Sequence, residues 1–518
     1  MSDNRWTLHI AIIGTLLTAA VIGIGPATAQ ASAGCATRVA SDFNGDGQAD
    51  IAVGYGLLNA STGGVDILYG QTGGLTGGEQ YISGTMLGVL DPTGSFADAG
   101  LAVQAGFFNG DCYADLAIGG GITVHGDREV VVLYGSAAGP DVAGGQVFVD
   151  NNFRPPEALV RFMSFGAPFA AGDFNGDGFT DLAMSDVGYG GESGGVAIAY
   201  GSASGLSLTG KQWFTQNTSG VPGANEAGDH FGWALSAADF NGDGRADLAI
   251  GAPGEDLGTT VDVGAVTVLH GTSAGLTTAG SQFFSLHTAG IPRAYPPSDF
   301  VGYSDFGDSL AAGDVTGDGR AELVVGAPQD SVTQVGFEGT VTLIKGSTSG
   351  LTATGSTVWT QNSPGVPGVA EINDRFGLSV CVGDFNGDGH GDVAVGSFEA
   401  IGSVLDAGSV TIIYGARTGL VSTNAQVWSQ NSPGIAGSAE RNDFFGSAVY
   451  AANIRSVGHS DLVIGIPNED TGTYTDNGAI EFLRGATSGI TATGSQFVDG
   501  TFLLSGRNSG AQMGGILA

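Results

Sequence analysis

One short acidic motif recurs seven times along the chain, and this repetition constrains the fold more than any other feature. The copies begin at positions 42, 107, 173, 239, 314, 384 and 453, and the first reads DFNGDGQADIAVG. Successive copies start 65, 66, 66, 75, 70 and 69 residues apart, so the period is close to 68 residues. Regular spacing of this length indicates that one supersecondary unit is repeated seven times.

Each repeat contains about four short β-rich runs separated by Gly, Pro, Asn and Asp, such as VTVLHG from Val266 and VTIIYG from Val410. No segment has the pattern of a capped helix of ordinary length. Seven four-stranded units favour an all-β, seven-bladed β-propeller, whose closed ring leaves no long exposed sheet edge. A linear β-solenoid is disfavoured because its repeats are normally much shorter.

The charge balance narrows the range of partners. Among 518 residues, 51 are acidic and 16 are basic, which gives a formal charge of −35. We therefore expect no nucleic-acid partner, because phosphate binding requires basic patches. The chain is also unlike a disordered acidic protein, since 42% of its residues are hydrophobic.

Residues 1–33 have the pattern of a secretory signal peptide. Arg5 precedes an apolar run from about Ile10 to Ile24, and small-residue sites follow at positions 27–29 and 31–33. We predict that 1–33 is a signal, that 34–518 forms the propeller, and that the protein is extracellular or associated with the cell surface. An uncleaved membrane anchor is the alternative for this segment. No later segment is long and apolar enough to span a bilayer.

Five of the seven acidic loops carry a complete set of oxygen ligands for a hard cation. Ca²⁺ takes oxygens from positions 1, 3 and 5, a backbone carbonyl at position 7 and a later acid, which here stands at position 9. The start resembles an EF-hand loop, but a strand follows instead of a helix. The predicted ligands are Asp42, Asn44, Asp46, Gln48 and Asp50; Asp173, Asn175, Asp177, Phe179 and Asp181; Asp239, Asn241, Asp243, Arg245 and Asp247; Asp314, Thr316, Asp318, Arg320 and Glu322; and Asp384, Asn386, Asp388, His390 and Asp392.

The other two loops depart from this pattern. Phe107 replaces the first acid of the second loop and Cys112 replaces its turn glycine, so we expect weak binding or none there. Arg455 and Val457 stand at ligand positions of the seventh loop, which is predicted to hold no ion.

Such Asp-Asn-Gly segments could be tight turns without any ligand. Five copies with three carboxylates each would repel one another without a cation, and we therefore favour about five structural Ca²⁺ sites. Mg²⁺ is disfavoured because it usually retains several waters.

A Phe-Gly pair precedes many of the loops, at Phe165, Phe231, Phe306, Phe376 and Phe445, and Gly-Ala-Pro follows at Gly251 and Gly326. This order resembles FG-GAP repeats and the seven-bladed propeller head of integrin α-chains and their bacterial relatives. The resemblance covers nearly all of the chain after the signal. It implies that the calcium loops and the longest variable loops lie on opposite faces of the propeller.

The last residues, QMGGILA from Gln512, resemble the strand that opens a blade. We predict that they pair within the first blade and close the ring. The first and second blades would then be neighbours, so that Cys35 and Cys112 could form a disulfide. Cys381 lies in the apolar run LSVCVGD and is predicted to be a buried thiol.

No nucleophile elbow, zinc-protease helix or phosphate-binding loop is present in the sequence, and we predict no catalytic residue. The favoured function is a monomeric, calcium-binding adhesion module for an extracellular protein or glycan, with Tyr295 and Tyr303 as possible contacts. The alternative is an extracellular hydrolase or its accessory propeller. The same repeats resemble the propeller of a glycosylphosphatidylinositol-specific phospholipase D, whose catalytic domain requires further N-terminal residues.

Overall fold

Seven small sheets, one for each sequence repeat, make up the fold. The computed structural model describes residues 21–22, 38–55, 63–75, 78–90, 94–96, 98–123, 128–154, 165–294, 303–332, 336–499, 513 and 516–518. Five sheets have four strands and two have five. The predicted all-β, seven-bladed propeller is confirmed.

Within each blade the main strands pair antiparallel in chain order, with blade 1 as the exception at its inner edge. From the innermost to the outermost, the strands are Ile516–Leu517, Ile51–Tyr55, Gly64–Leu68 and Glu79–Ser83 in blade 1; Ala102–Gly106, Asp115–Thr123, Arg128–Tyr134 and Asp141–Val149 in blade 2; Phe165–Gly172, Asp181–Asp186, Val196–Tyr200 and Ser207–Phe214 in blade 3; Leu235–Ala238, Asp247–Ala252, Ala265–Thr272 and Gly275–Phe284 in blade 4; Ser309–Gly313, Glu322–Ala327, Thr340–Ser347 and Gly350–Trp359 in blade 5; Ser379–Gly383, Asp392–Ser397, Ser409–Tyr414 and Val421–Trp428 in blade 6; and Val449–Ala452, Asp461–Ile466, Ala479–Ala486 and Gly489–Asp499 in blade 7.

Helix is almost absent from the described residues. Two four-residue helices, Gly84–Leu87 and Tyr189–Glu192, and the 3₁₀ turn Asp150–Asn152 lie in connections between strands. Blade 2 also gains the short strand Gly94–Ser95, which pairs with the end of its second strand. None of the helices in the described parts of the chain is long and apolar enough to span a bilayer.

The ring closes through the C-terminus, as predicted. Leu517 pairs antiparallel with Val53, and the backbones of Ala52 and Ala518 exchange hydrogen bonds of 2.7 and 3.0 Å. The innermost strand of blade 1 therefore comes from the opposite end of the chain from its other three strands. The first acidic loop accordingly follows no inner strand of its own blade in the sequence.

The two halves of the FG-GAP motif meet across blade boundaries. The Phe of the pair is fully buried at Phe231, Phe306, Phe376 and Phe445, and the following glycines have φ between +92° and +100°. A Cβ on Gly251 of blade 4 would lie 2.1 Å from the carbonyl oxygen of Gly307, which opens blade 5. Both glycines are thus required where two backbones approach closely.

The predicted signal covers residues near the N-terminus. Val21–Ile22, inside the segment interpreted as a signal, pairs parallel with Ala311–Ala312 of blade 5, and this backbone lies near the inner strands of blades 3, 4, 6 and 7. The rest of residues 1–33 lies outside the described residues, and signal cleavage stays a prediction.

Two of the three cysteines lie in the described parts of the chain. Cys112 is disulfide-bonded, and Cys381 is a free, fully buried thiol whose pKa is raised by burial, as its apolar sequence context predicted. The expected partner of Cys112, Cys35, lies outside the described residues.

The antiparallel order gives the propeller two distinct faces. The loop face carries the acidic loops 1 to 7, which span residues 42–50, 107–115, 173–181, 239–247, 314–322, 384–392 and 453–461. The connection face carries the links from second to third strands and from each outer strand to the next blade. The predicted separation of the acidic loops from the long variable loops is confirmed.

Candidate functional site: the acidic loops

The first acid of each complete loop organises the turn by accepting backbone N–H groups. In loop 1, Asp42 Oδ1 accepts from Gly45 N at 2.7 Å, and Asp42 Oδ2 accepts from Gly47 N at 2.8 Å. The corresponding distances in loops 3, 4 and 6 agree with these within 0.1 Å. The loops therefore share one conformation, which leaves further lone pairs on each carboxylate for a cation.

The last acid of each loop is buried and ties the loop to the rest of its blade. Asp50 Oδ2 accepts from Phe43 N, and Asp50 Oδ1 accepts from Gly70 N at the end of the third strand, each at 2.9 Å. Asp115, Asp181 and Asp392 make the same two kinds of contact. Position 9 thus has a structural role even before any ion is considered.

The carboxylates within one loop repel one another when they are ionised, which disfavours their charged forms. Burial, and then repulsion from Asp42 and Asp46, raise the pKa of Asp50 to about 8, although two backbone N–H groups oppose the shift. The pKa of Asp181 in loop 3 is raised to about 8 by the same combination, and that of Glu322 in loop 5 to about 7. A bound cation would offset these unfavourable interactions.

The side chain at position 7 covers the preceding blade's loop, which sequence reasoning missed. His390 of loop 6 lies over Gly317 of loop 5, where an added Cβ would be 2.7 Å from His390 Cε1. The same contact joins Tyr113 to Gly45 and Phe179 to Gly110. Position 7 was predicted only as a source of a carbonyl oxygen, but its side chain also links neighbouring loops into a ring.

Loop 7 holds a side-chain cation in place of the missing ligand set. Arg455 Nη2 donates to Asp461 Oδ1 at 2.6 Å and to the carbonyl of Gly485 at 2.7 Å, while Arg455 Nε donates to the same Asp461 oxygen at 2.9 Å. Both partners are largely buried, with side-chain exposures of 12% and 0%. A guanidinium therefore neutralises the acid at position 9.

Loop 2 keeps its turn without the first acid. Asp111 still accepts from Tyr113 N at 2.8 Å, and Asp115 accepts from Phe108 N at 2.7 Å. The guanidinium of Arg38 lies 5.1 Å from the ring centre of Phe107 and donates to the carbonyl of Gly110 at 2.6 Å. A basic side chain again approaches a loop that lacks part of its ligand set.

Basic side chains also contact loops 4 and 5, which have complete sets. His270 Nδ1 lies 3.2 Å from Asp247 Oδ1, and this carboxylate raises the pKa of His270. Arg245 pairs with Asp243 at 2.9 Å, and Arg320 pairs with Asp318. The two arginine pairs are substantially exposed, so each contributes little to stability.

The structure keeps the predicted ligands of each loop together, and each of the five loops belongs to a different blade. The oxygen set, three carboxylates with an amide or hydroxyl and a carbonyl, has the chemistry that Ca²⁺ prefers. No cluster of three or more His, Cys, Asp or Glu side chains arranged to hold a metal ion is found in the described part of the chain. Any ion here would accordingly need the Asn, Thr and carbonyl oxygens as well.

The connection face carries most of the exposed apolar side chains. Eleven large hydrophobic residues are exposed among the described residues, and eight belong to links on this face: Met86, Val89, Val261, Tyr303, Val369, Ile372, Leu405 and Tyr474. Tyr303, predicted as a possible contact, is 41% exposed, whereas Tyr295 lies outside the described residues. The loop face contributes only Val457 to the same set.

Comparison with known proteins agrees with this architecture. The FG-GAP repeat family model matches residues 231–269, 306–344 and 376–413. A mouse phosphatidylinositol-glycan-specific phospholipase D is 30% identical over 184 residues, and Xenopus laevis integrin alpha-4 is 32% identical over 203 residues. These matches span 35% and 39% of this chain but only 20% and 17% of the two relatives.

Among solved structures, a Bacillus licheniformis rhamnogalacturonan lyase is similar with a TM-score of 0.31 and 14% identity, over 88% of this chain and 69% of the lyase. That likeness is too low to support an inference about function. The three family-model matches and the seven observed blades lead to one conclusion: the chain contains FG-GAP repeats, folds as a seven-bladed β-propeller and is similar in sequence to integrin α-chains.

Proposed function

We propose that this chain is a calcium-stabilised extracellular propeller that binds a protein or glycan through its connection face. The observation that carries the binding function is the placement of eight of the eleven exposed large apolar side chains on links of that face. Apolar groups concentrated on one face of a soluble protein are typical of an interaction surface. We infer a monomer that is exported by its N-terminal signal.

The proposed role of calcium is structural, and it is supported by loop 7. Where the ligand positions are lost, Arg455 brings a positive charge to the buried Asp461. The five complete loops have equivalent buried acids, and the proposal is that bound Ca²⁺ supplies the compensating positive charge there. Each ion would brace a loop that also contacts the preceding blade's loop through its position-7 side chain.

An array of glycans and extracellular matrix proteins, probed with the purified protein in calcium, tests the binding function. We expect a bound ligand whose signal falls at least tenfold in the double variant Val369→Ser/Ile372→Ser, since these side chains are 63% and 56% exposed. The matched control is Val457→Ser on the loop face, where the side chain is 47% exposed. A ligand that binds the double variant and the wild type equally would contradict the assignment of the face.

An accessory role in a hydrolase is the second candidate, because the phospholipase D relatives match over 184 residues. The match covers a fifth of those proteins, so their activity is a proposal for this chain and not a finding. Release of the glycan from a phosphatidylinositol-glycan substrate, measured alongside the array, separates the two candidates. Turnover by the purified chain would favour the hydrolase.

A further inference from the structure

Three seams between blades, on the connection face, contain the same polar set, whose members are buried except for the half-buried Glu399. Each set has a Gln just after an outer strand, an Asp before the next Phe pair and a Glu beyond the second strand of the following blade. The sets are Gln216, Asp229 and Glu255 between blades 3 and 4; Gln361, Asp374 and Glu399 between blades 5 and 6; and Gln430, Asp443 and Glu469 between blades 6 and 7. We call them the seam sites.

The Gln amide and the Glu carboxylate lie beneath a glycine turn in every seam site, and two of the three pairs are hydrogen-bonded. Gln430 Nε2 donates to Glu469 Oε2 at 2.5 Å, and Gln216 makes the equivalent contact with Glu255. A Cβ added to Gly437 would lie 3.1 Å from Gln430 Nε2 and 3.2 Å from Glu469 Oε1. Gly223 and Gly368 lie over the other two pairs in the same way, which shows that the geometry is a repeated feature.

These polar groups are deeply buried and incompletely paired. Gln216, Gln361 and Gln430 are 3%, 1% and 2% exposed. Among the described residues, the Oε1 atoms of all three have no hydrogen-bond partner, and the Nε2 atom of Gln361 has none either. An unpaired buried amide is unfavourable, so its recurrence beside carboxylates points to a ligand.

Within the described parts of the chain, the carboxylates of the seam sites have no basic partner. No Lys, Arg or His of the described residues forms an ion pair with Asp229, Asp374 or Asp443, or with the three Glu side chains of the sets. Each Asp uses one oxygen to accept a backbone N–H, as in the 2.7 Å bond from Glu226 N to Asp229 Oδ2. Burial is the main cause that raises the pKa of Asp229 to about 7, and repulsion from the Glu255 carboxylate adds to it. Two buried acids in one seam therefore need a compensating positive charge or a proton.

Two other seams show what happens when the set is changed. Between blades 4 and 5 the Gln position is Leu286, which packs in the core, and Asp330 accepts instead from Thr340 Oγ1 at 3.0 Å. Between blades 2 and 3 the Gln position is Asp150, which forms an ion pair of 2.7 Å with Arg154. Thus one altered seam is apolar at this position, and the other supplies its own cation.

We propose that the three seam sites bind a hard divalent cation such as Ca²⁺, as a second class of site distinct from the acidic loops. The ligands are the Gln Oε1 and the carboxylates of the Asp and Glu. The exposed acids Glu226, Glu371 and Glu440 stand at the entrances. In the seam between blades 5 and 6, the ion braces the link that carries Val369 and Ile372, so it couples cation binding to the proposed interaction surface.

The test is the number of calcium ions bound per chain, measured by equilibrium dialysis on the full-length mature protein. We expect the triple variant Gln216→Leu/Gln361→Leu/Gln430→Leu to bind three ions fewer than the wild type. Leucine is the residue that the chain itself uses at Leu286, so the substitution suits the surrounding core. The control Thr215→Ser/Thr360→Ser copies Ser285 of the equivalent position and is expected to bind as many ions as the wild type.

A triple variant that folds and binds the wild-type number of ions would overturn the proposal. If the triple variant does not fold, the single variant Glu399→Gln replaces it and is expected to bind one ion fewer, whereas an unchanged number would overturn the proposal. Proton sharing between the acids predicts no change in either variant. Because the count is a difference between variants with intact acidic loops, it is independent of whether those loops bind calcium.

Discussion

The guanidinium of Arg455 donates two hydrogen bonds to the buried Asp461 Oδ1, at 2.6 and 2.9 Å, inside the one acidic loop that has lost two of its side-chain ligand positions. The equivalent acids of the five complete loops are also buried but have no guanidinium of their own loop against them. The relationship provides a means by which blade 7 would keep its loop without an ion, as the sequence predicts. It also identifies a positive charge as the common requirement of the site.

Replacing Arg455 by Met should destabilise the protein by about 3 kcal/mol, because it leaves a buried carboxylate without its partner. The loss should be the same in calcium and in chelator, since loop 7 is predicted to hold no ion. Urea unfolding of the variant and of the exposed control Arg441→Met measures the difference. A destabilisation that disappears in excess calcium would show that an ion enters loop 7 and would contradict this account.

Leu517 is almost fully buried in the strand that closes the ring, and Leu517→Ala should cost about 3 kcal/mol. Leu208, on the outer strand of blade 3, is 38% exposed and provides the control, with an expected change below about 1 kcal/mol. Thermal melts of both variants make the comparison. Equal melting temperatures for Leu517→Ala and the wild type would mean that the C-terminal strand does not hold the ring closed.

Alanine substitutions at two glycines of loop 5 should distinguish the cost of backbone strain from that of steric crowding by the neighbouring blade. Gly317 has φ +68° and would place a Cβ 2.7 Å from His390 Cε1, whereas Gly319 has φ +85° and nothing within 4 Å. Gly319→Ala should cost about 1 kcal/mol from strain alone, and Gly317→Ala should cost more. Adding His390→Ala should recover the excess in a double-mutant cycle; no recovery would rule out the contact between loops.

The repeat pattern was sufficient to predict the number of blades, and the likeness of the C-terminal residues to an opening strand predicted the ring closure. The opposite faces were implied by the resemblance to integrin α propellers, and they follow in the structure from antiparallel strands in chain order, which place alternate links at opposite ends. The repeat pattern could not predict contacts between adjacent repeats. The contacts of Gly251 with Gly307 and of His390 with Gly317 join residues that are more than fifty positions apart. The sequence around one residue of each pair does not indicate which residue it will contact.

The candidate sites show the same limit. The sequence identified Arg455 as a lost ligand, but its hydrogen bonds to Asp461 and Gly485 depend on side-chain reach in three dimensions. The seam sites were missed because Gln361 and Glu399 belong to different repeats and form no local motif. Aligning the seven repeats for recurring Gln and Glu would have been the available signal.

The calcium-free protein should become less stable as the pH rises. The pKa of Asp50 and of Asp181 is raised to about 8, above the ordinary value of 3.8, so protonation of these acids favours the folded state. That stabilisation is complete below about pH 4 and is lost as the pH passes through about 8. In excess EDTA the melting temperature should therefore be higher at pH 6 than at pH 9. A calcium-saturated sample is the control, and a higher melting temperature at pH 9 in EDTA would contradict the prediction.

The most direct test of the central claim is a thermal melt of the mature protein at pH 7.5, with excess calcium and with excess EGTA. The account predicts that EGTA lowers the melting temperature by at least 10 °C, because five loops lose the charge that compensates their buried acids, and that added calcium restores it. Magnesium at the same concentration should restore little of the loss. Superimposable melting curves in calcium and EGTA would contradict the claim that these loops are calcium sites.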